Sequence, residues 1–95
     1  MANFYVYILT TKNHAVFYTG FTDDIWQRTQ QHKEKSIPGF TSRYNVVKLV
    51  YFEEYEDGEE ALHREKQVKR YKRAWKINLI NKMNPEWRDL YEDFL

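Results

Sequence analysis

The 95-residue chain has no cysteine, only three glycines and two prolines, and no long apolar run. The absence of cysteine excludes disulfide bonds and thiolate metal sites, and it favours a reducing compartment. No segment approaches the ~18 consecutive apolar residues that a membrane-spanning helix needs. The amino terminus, MANFYVYIL, lacks the basic region and small-residue cleavage site of a secretory signal. We therefore expect a cytoplasmic protein without a membrane segment.

What the chain does contain is typical of one small folded domain, which we expect to span residues 1–95. Hydrophobic residues make up 42% and charged residues 31% of the chain. The net charge of +1 hides a segregation, since residues 53–60 hold six acids and no base. Residues 62–76 hold seven Lys or Arg against one Glu. This distribution predicts a positive surface on the later segment.

Hydrophobic patterning predicts an α/β (α+β) fold of order β-β-α-β-α-α with an extra C-terminal helix. A polar turn between the first two strands indicates a hairpin, and Pro38 with Gly39 indicates a loop over residues 36–45. Asn84-Pro85 is predicted to open the last helix. The expected strands are residues 3–10, 15–20 and 46–56, the expected helices are about 24–35, 59–73, 74–83 and 85–94, and the core is about 3–83.

Two apolar stripes are predicted on the later helices. Spacing of four residues places one stripe on a shared face, and the last helix should dock its own stripe on the rest of the domain. The first stripe is Trp75, Leu79 and Met83, and the second is Trp87, Leu90, Tyr91 and Phe94.

Two phenols, a guanidinium and an imidazole are predicted to converge at one edge of the sheet. Tyr7 lies in the first strand and Tyr18 near the end of the second, while Arg28 and His32 are four apart and share a helical face. A guanidinium fork matches phosphate oxygens, and an imidazole can move protons or orient a phenol. This set predicts phosphodiester chemistry. Tyr5 is expected on the opposite face from Tyr7, in the core.

Each of these residues has a structural alternative, which the sequence leaves open. Arg28 can pair with Asp24, four residues earlier, and His32 can be a solvated histidine that complements a helix end. The tyrosines can be core rings whose hydroxyls reach water. His14 and His63 have no comparable setting and are expected on the surface.

Glu65 is the only acid in the basic segment 62–76. A single carboxylate facing a cleft suits one hard cation, Mg²⁺ or Mn²⁺, with water and substrate phosphate completing its shell. No set of His or Cys has zinc spacing. The alternative is an ion pair of Glu65 with Arg64, Lys66 or Lys69.

Basic and aromatic residues outside this set are predicted to bind nucleic acid through its phosphates and bases. Lys and Arg give a salt-dependent affinity that is independent of base sequence, although a charge run can also be a solvated face. An adjacent Arg-Tyr pair can hold a phosphate and stack a base, as suits single strands. The predicted contacts are Gly20, Arg43, Tyr44, Lys48, Lys66, Lys69, Arg70, Lys72 and Arg73.

Taken in order, these positions resemble the GIY-YIG nuclease superfamily. Its first triplet appears as Tyr5-Val6-Tyr7 and its second as Tyr18-Thr19-Gly20, followed by Arg28, His32 and Glu65 at the expected spacing. The chain is most similar to small standalone bacterial members (YhbQ-like predicted endonucleases) and to the N-terminal domain of UvrC. Phe21 departs from the UvrC-like members, which carry a lysine there.

The resemblance implies a GIY-YIG fold, with a small, mainly antiparallel three-stranded sheet flanked by helices. It implies a metal-dependent endonuclease that hydrolyses DNA, in which one of two tyrosines activates water and Glu65 holds one Mg²⁺ or Mn²⁺. The implied catalytic residues are Tyr7, Tyr18, Arg28, His32 and Glu65. The family's late asparagine has an approximate match in Asn78 or Asn81.

Two other functions are compatible with the same sequence. One is a nucleic-acid-binding module that keeps the fold without turnover. The other is a protein-interaction domain of a DNA repair or processing complex, using the acidic segment 53–60 or the last helix. A homodimer or a repair-protein partner would suit a small nuclease that must cut both strands.

Overall fold

The structure, a computed structural model, describes residues 3–94. Over this range three strands form one sheet, and helices pack on both of its faces. In chain order the elements are β1 (Phe4–Thr10), β2 (Phe17–Thr22), α1 (Ile25–Lys33), α2 (Phe40–Tyr44), β3 (Lys48–Tyr55), α3 (Gly58–Arg70), α4 (Arg73–Met83) and a terminal 3₁₀ helix (Leu90–Phe94).

The sheet has the order β2-β1-β3, and β1 pairs antiparallel with both neighbours. The predicted class, a small antiparallel sheet flanked by helices in the order β-β-α-β-α-α, is confirmed. As the central strand, β1 is buried on both faces, which explains its nearly unbroken apolar run. Within residues 3–94, no helix is both long and apolar enough to cross a bilayer.

Two apolar clusters lie on opposite faces of the sheet. Tyr7 and Leu9 belong to the first cluster, which α1 and the terminal 3₁₀ helix cover with Ile25 and Leu90. The second cluster joins Ile8 to α3 and α4. Helices α1 and α3 therefore pack on opposite sides of the sheet.

Tyr5 is the first correction to the expectations from the sequence. It packs against the same cluster as Tyr7, and its expected place on the opposite face is wrong. Side chains alternate along a strand, so residues two apart share a face.

Helix α1 begins after Asp24, whose carboxylate accepts a hydrogen bond from the backbone N–H of Gln27 (3.0 Å). Asp24 is thus the N-cap, close to the predicted start of this helix. Thr22 supports this turn, because its hydroxyl accepts from the backbone N–H of Asp24. The helix ends at Lys33, slightly before the predicted end.

The predicted loop over residues 36–45 contains the short helix α2. Gly39 precedes it with a φ of 128°, and Asn45 ends it in the left-handed region with a φ of 57°. Glycine and asparagine adopt positive φ at low cost, so these two residues delimit the single turn.

The second helical region divides into α3 and α4, because Tyr71 and Lys72 have extended backbone angles. The predicted stripe on α4 is wrong. Trp75 and Met83 are exposed, whereas Ile80 is the buried residue of this helix.

The predicted C-terminal helix over residues 85–94 is wrong in its first half. Trp87 has a positive φ of 55°, which a right-handed helix cannot contain. Trp87 joins the second cluster, while Leu90 and Phe94 join the first. The four apolar residues therefore do not form one stripe, and only the terminal 3₁₀ turn is helical.

Candidate active site

A chain of hydrogen bonds connects β1 to α1 and α2. The Tyr7 hydroxyl is 3.0 Å from Nε2 of His32, and Nδ1 of His32 is 2.9 Å from Oγ1 of Thr41. In one proton arrangement Tyr7 donates to Nε2 and Nδ1–H donates to Thr41; reversing both bonds gives the other. Either arrangement satisfies both nitrogens of a neutral imidazole.

Gly20 makes room for the Tyr7 ring. The two residues are cross-strand neighbours, and a Cβ atom at Gly20 would lie 2.4 Å from both Cζ and the hydroxyl oxygen of Tyr7. Real Cβ atoms do not approach so closely, so the glycine of the second triplet is required by packing. Gly20 is itself buried, which leaves little surface for its predicted contact with nucleic acid.

Tyr18 completes a cluster of three rings. Its ring centroid lies 6.3 Å from that of Tyr7 and 5.6 Å from that of His32. Tyr18 remains partly exposed, whereas Tyr7 is 1% exposed. The structure thus places one buried phenol and one more accessible phenol beside the same imidazole.

Burial sets the protonation of the Tyr7–His32 pair. It raises the pKa of Tyr7 well above its ordinary value; Tyr18 and Glu65 act in the same direction, and Arg28 opposes them. Burial and the positive charge of Arg28 lower the pKa of His32 to about 4. Both groups are therefore neutral at pH 7. Because His32 is only 2% exposed, it is not the solvated helix-end histidine of the alternative.

The Arg28 side chain has no ion pair or hydrogen bond with the part of the chain that the structure describes. The carboxylate of Asp24, the alternative partner, instead caps α1. The guanidinium acts electrostatically on both Tyr7 and His32. Its five N–H donors are available to a phosphate.

Glu65 acts through its charge on the same phenol, from a helix that packs on the opposite side of the sheet from α1. It lies on α3, is 8% exposed, and its charge contributes to the raised pKa of Tyr7. One of the structural alternatives is observed, since Nζ of Lys69 lies 2.7 Å from Oε2 of Glu65. Within residues 3–94 no hydrogen bond joins Glu65 to Tyr7 or Arg28, so the link between them is electrostatic.

The donor set of this site fits a cation that is held partly by substrate. Among the described residues, no group of three or more His, Cys, Asp or Glu could hold a metal ion. Glu65 offers one carboxylate, and its ion-pair partner among residues 3–94 is Lys69, whose side chain is about half exposed. Mg²⁺ is commonly held by one or two carboxylates, with phosphate and water supplying the other ligands.

Several predicted nucleic-acid contacts are engaged within the protein. The guanidinium of Arg73 donates to the carbonyl oxygens of His14 and Ala15, and it lies over the Phe17 ring. The ammonium of Lys48 is 2.9 Å from Nε2 of His14. These contacts hold the β1–β2 hairpin and reduce the donors left for a phosphate.

The remaining predicted contacts lie at the surface. The Arg43 guanidinium lies over the Tyr44 ring on α2, with both side chains exposed. Lys66 and Arg70 are exposed on α3, and Lys72 is exposed just before α4.

Neither candidate for the late asparagine joins the site. Asn78 is exposed, and Oδ1 of Asn81 accepts a hydrogen bond from Nε1 of Trp87 (2.7 Å). Thr41 is the site residue whose role the sequence did not indicate, because its partner His32 lies nine residues earlier across a loop. Thr19, inside the second triplet, has a buried hydroxyl without a hydrogen-bond partner among residues 3–94.

Known proteins are similar to most of this chain. The GIY-YIG catalytic domain family matches residues 3–78. A UPF0213 protein of Syntrophus aciditrophicus is 40% identical over 90% of this chain and 98% of its own. A UPF0213 protein of Clostridium perfringens is 39% identical over 81% of this chain and 82% of its own. The solution NMR structure of the UPF0213 protein BH0048 from Bacillus halodurans has a TM-score of 0.57 at 29% identity, covering 90% of each chain. Because the family matches most of the chain and these relatives are up to 40% identical to it, the chain belongs to the GIY-YIG family, among its small bacterial members.

Proposed function

We propose that this protein is a metal-dependent endonuclease that hydrolyses DNA phosphodiester bonds. The observation that carries the proposal is the setting of Tyr7. Its hydroxyl is held by His32, its ring occupies the space that Gly20 leaves, and the charges of Arg28 and Glu65 both act on it. The positive charge of Arg28 suits a phosphate, and the negative charge of Glu65 suits a cation.

Arg28 is proposed to bind the scissile phosphate. Its guanidinium has no ion-pair partner within the described residues, and α1 holds it near the phenol. Negative charge builds on the phosphate oxygens during attack by water, and a fixed fork of donors stabilises that charge. Arg28 thereby favours the transition state over the bound substrate.

Tyr18 is proposed to remove the proton from the attacking water, beside Tyr7 and His32. A tyrosine accepts a proton only after losing its own, and the raised pKa of the buried Tyr7 keeps that phenol protonated. Because the pKa of His32 is about 4, its Nε2 is a poor acceptor for the Tyr7 proton, and the contact between them orients the phenol. Tyr18 is more exposed, so its own proton can pass to solvent before it accepts one from the attacking water.

Glu65 is proposed to hold one Mg²⁺ or Mn²⁺ together with substrate phosphate and water. When bound, such a cation neutralises charge on the leaving oxygen. The ammonium of Lys69 occupies Oε2 of Glu65 and must move aside for this ligation. Because the Lys69 side chain is about half exposed, that movement encounters little packing.

A nucleic-acid-binding module without turnover is the second candidate, and the Glu65–Lys69 ion pair favours it. In that case Lys69 keeps the Glu65 carboxylate neutralised, and the exposed Lys and Arg side chains of residues 62–76 bind nucleic acid without cleaving it. The two candidates differ in their dependence on a divalent cation.

The test is a cleavage assay with the purified protein on single-stranded, duplex, flapped and branched DNA, with EDTA, Mg²⁺ or Mn²⁺. We expect metal-dependent cleavage of at least one substrate and its loss in Arg28→Ala. If DNA is bound but cut under no condition, the binding module is the better account. Cleavage that is identical in the wild type and Arg28→Ala, or that persists in EDTA, would contradict the proposed mechanism.

A further inference from the structure

The outer surface of α3 and the start of α4 enclose a groove that is separate from the Tyr7 cluster. Its volume is about 580 Å³, and its lining consists of His63, Lys66, Gln67, Arg70, Tyr71 and Trp75. None of these side chains is acidic. We propose that this groove binds an unpaired DNA strand, with one base stacked on Trp75 and neighbouring phosphates on Lys66 and Arg70. The inference rests on the proposed function and names the kind of substrate that the enzyme receives.

Trp75 is presented for stacking. It is 53% exposed, the largest exposure among the large apolar side chains of the described residues. Its ring meets Tyr71 edge to face, with centroids 5.3 Å apart and an angle of 85° between the planes. A tryptophan held in this way offers a flat surface that any base can cover, which is how proteins bind single strands without reading their sequence.

The ring that supports Trp75 is itself fixed. The Tyr71 hydroxyl accepts a hydrogen bond from the Arg64 guanidinium (3.0 Å), and that guanidinium also lies over the Tyr71 ring. Arg64 is held in turn by Glu53 of β3, with its Nε 2.9 Å from Oε1. The network ties the wall of the groove to the sheet, so the stacking surface is preorganised.

The groove is also charged for a polynucleotide. Lys66 and Arg70 are exposed and four residues apart, so they are adjacent on one face of α3. Neither forms an ion pair within residues 3–94, whereas Arg64 and Lys69 on the same helix do. Uncompensated cations beside an exposed ring suit a phosphate backbone with an unpaired base, and they do not suit a cationic or purely apolar protein surface.

A path of positive charge connects the groove to Glu65. At 3.6 residues per turn, Lys69, Lys66 and Arg70 lie about 40°, 100° and 140° around the helix axis from Glu65, all in the same direction. A strand leaving the Tyr7 cluster can therefore follow cations around α3 into the groove. Half the circumference of a helix with its side chains is on the order of 15 Å, which a strand spans in a few nucleotides. DNA with an unpaired segment a few nucleotides from the scissile phosphate is thus the expected substrate.

The binding test uses a fluorescently labelled oligothymidylate of about twenty nucleotides, long enough for a site of this class, in EDTA so that no metal-dependent cleavage occurs. Trp75→Ala should weaken binding roughly 5- to 150-fold, the effect of losing one stacked base, whereas Trp75→Phe should retain most of the affinity. Trp26→Ala is the matched control, because Trp26 is also exposed (40%) but lies on α1. Circular dichroism melting should show that all three variants remain folded.

A second arm tests the phosphate contacts through salt. The double variant Lys66→Gln, Arg70→Gln should lower the slope of log affinity against log salt by about 1.4, or 0.7 for each lost contact with a single strand. A duplex of the same length should bind more weakly and should not respond to Trp75→Ala. An unchanged affinity in Trp75→Ala, or equal sensitivity of duplex and single strand to it, would overturn the proposal.

The outcomes separate the groove from the hydrolytic site. If Trp75→Ala weakens strand binding but no metal supports cleavage, the proposed endonuclease fails and the groove stands. If the wild type cleaves DNA and Trp75→Ala binds and cleaves identically, the groove fails and the endonuclease stands.

Discussion

The Tyr7 ring fills the space that a side chain at Gly20 would need on the neighbouring strand. A methyl group at Gly20 would lie 2.4 Å from the Tyr7 hydroxyl oxygen. This contact explains why position 20 is a glycine, because any larger residue would clash with the Tyr7 phenol. Tyr7 is buried beside His32 and cannot swing into solvent, so the pair is rigid. The position of the Tyr7 phenol is thus determined by packing against the backbone of Gly20 as well as by its hydrogen bond with His32.

Gly20→Ala is expected to destabilise the protein by about 1–3 kcal/mol through overpacking. The substitution should also displace the Tyr7 hydroxyl from His32, so cleavage should fall further than stability alone explains. Urea unfolding and cleavage assays measure the two effects. Gly58→Ala is the control, because a Cβ there meets the Phe4 ring only at 3.2 Å or more. Equal stability of Gly20→Ala and the wild type would contradict the packing argument.

The burial of His32 predicts a pH dependence of stability. Its pKa is about 4 in the folded protein, against about 6.5 in the unfolded chain. Between these values the unfolded chain binds more protons, so the free energy of unfolding should decrease as pH falls from 6.5 towards 4. Well above pH 6.5, where the imidazole is neutral in the unfolded chain too, this residue should contribute no slope. NMR titration of the imidazole and urea unfolding at several pH values measure the effect.

The control for this dependence is His63→Gln, since His63 is exposed on α3. That variant should keep the slope, and His32→Gln should reduce it. Titration of His32 near pH 6.5 in the folded protein would show that the imidazole is not held neutral.

Thr41→Val is expected to destabilise the protein by about 1–3 kcal/mol, because a buried hydrogen-bond partner of Nδ1 is removed without a change of volume. Thr41 is a positioning residue, so the ¹⁵N signals of His32 should also report a changed tautomer distribution. Ser42→Ala on the same helix is the matched control, since within residues 3–94 the Ser42 hydroxyl donates its one hydrogen bond to the carbonyl oxygen of Gly39. Unchanged His32 signals in Thr41→Val would exclude a positioning role.

Arg28→Ala is expected to lower the cleavage rate roughly 10²- to 10³-fold, the effect of losing one preorganised donor to a developing anion. Arg28→Lys should recover only part of it, because an ammonium lacks the guanidinium fork. Melting temperatures should hardly change, since the Arg28 side chain has no ion pair with residues 3–94. Arg88→Ala, which removes an exposed pair with Asp93, should leave the rate unchanged. A fully active Arg28→Ala would remove this residue from the mechanism.

Lys69→Ala and Glu65→Gln are expected to change metal affinity in opposite directions. Removing the ammonium 2.7 Å from Glu65 frees the carboxylate, so a lower Mn²⁺ concentration should suffice for half-maximal binding. Glu65→Gln should abolish that binding, because a neutral amide is a weak ligand for a hard cation. Electron paramagnetic resonance of Mn²⁺ in the presence of uncleaved DNA measures both. Equal Mn²⁺ binding by the wild type and Glu65→Gln would locate the metal elsewhere.

Local sequence determined the framework of the site. The apolar run of β1, the hairpin and the spacing of Arg28 and His32 follow from backbone periodicity, which acts within a few residues. The ordered triplets predicted the family, which the match over residues 3–78 confirms. The ion pair of Glu65 with Lys69 was also among the predicted alternatives, because it is an i,i+4 pair.

Only the tertiary structure decided what surrounds these residues. The burial that lowers the pKa of His32, its bond to Thr41 and the fit of Tyr7 over Gly20 depend on contacts between elements distant in the chain. The exposure of Trp75 and the positive φ of Trp87, which overturned two predicted stripes, were likewise set by packing. Periodicity shows which residues share a face, but packing determines which face is covered and so fixes solvation, charge and chemistry.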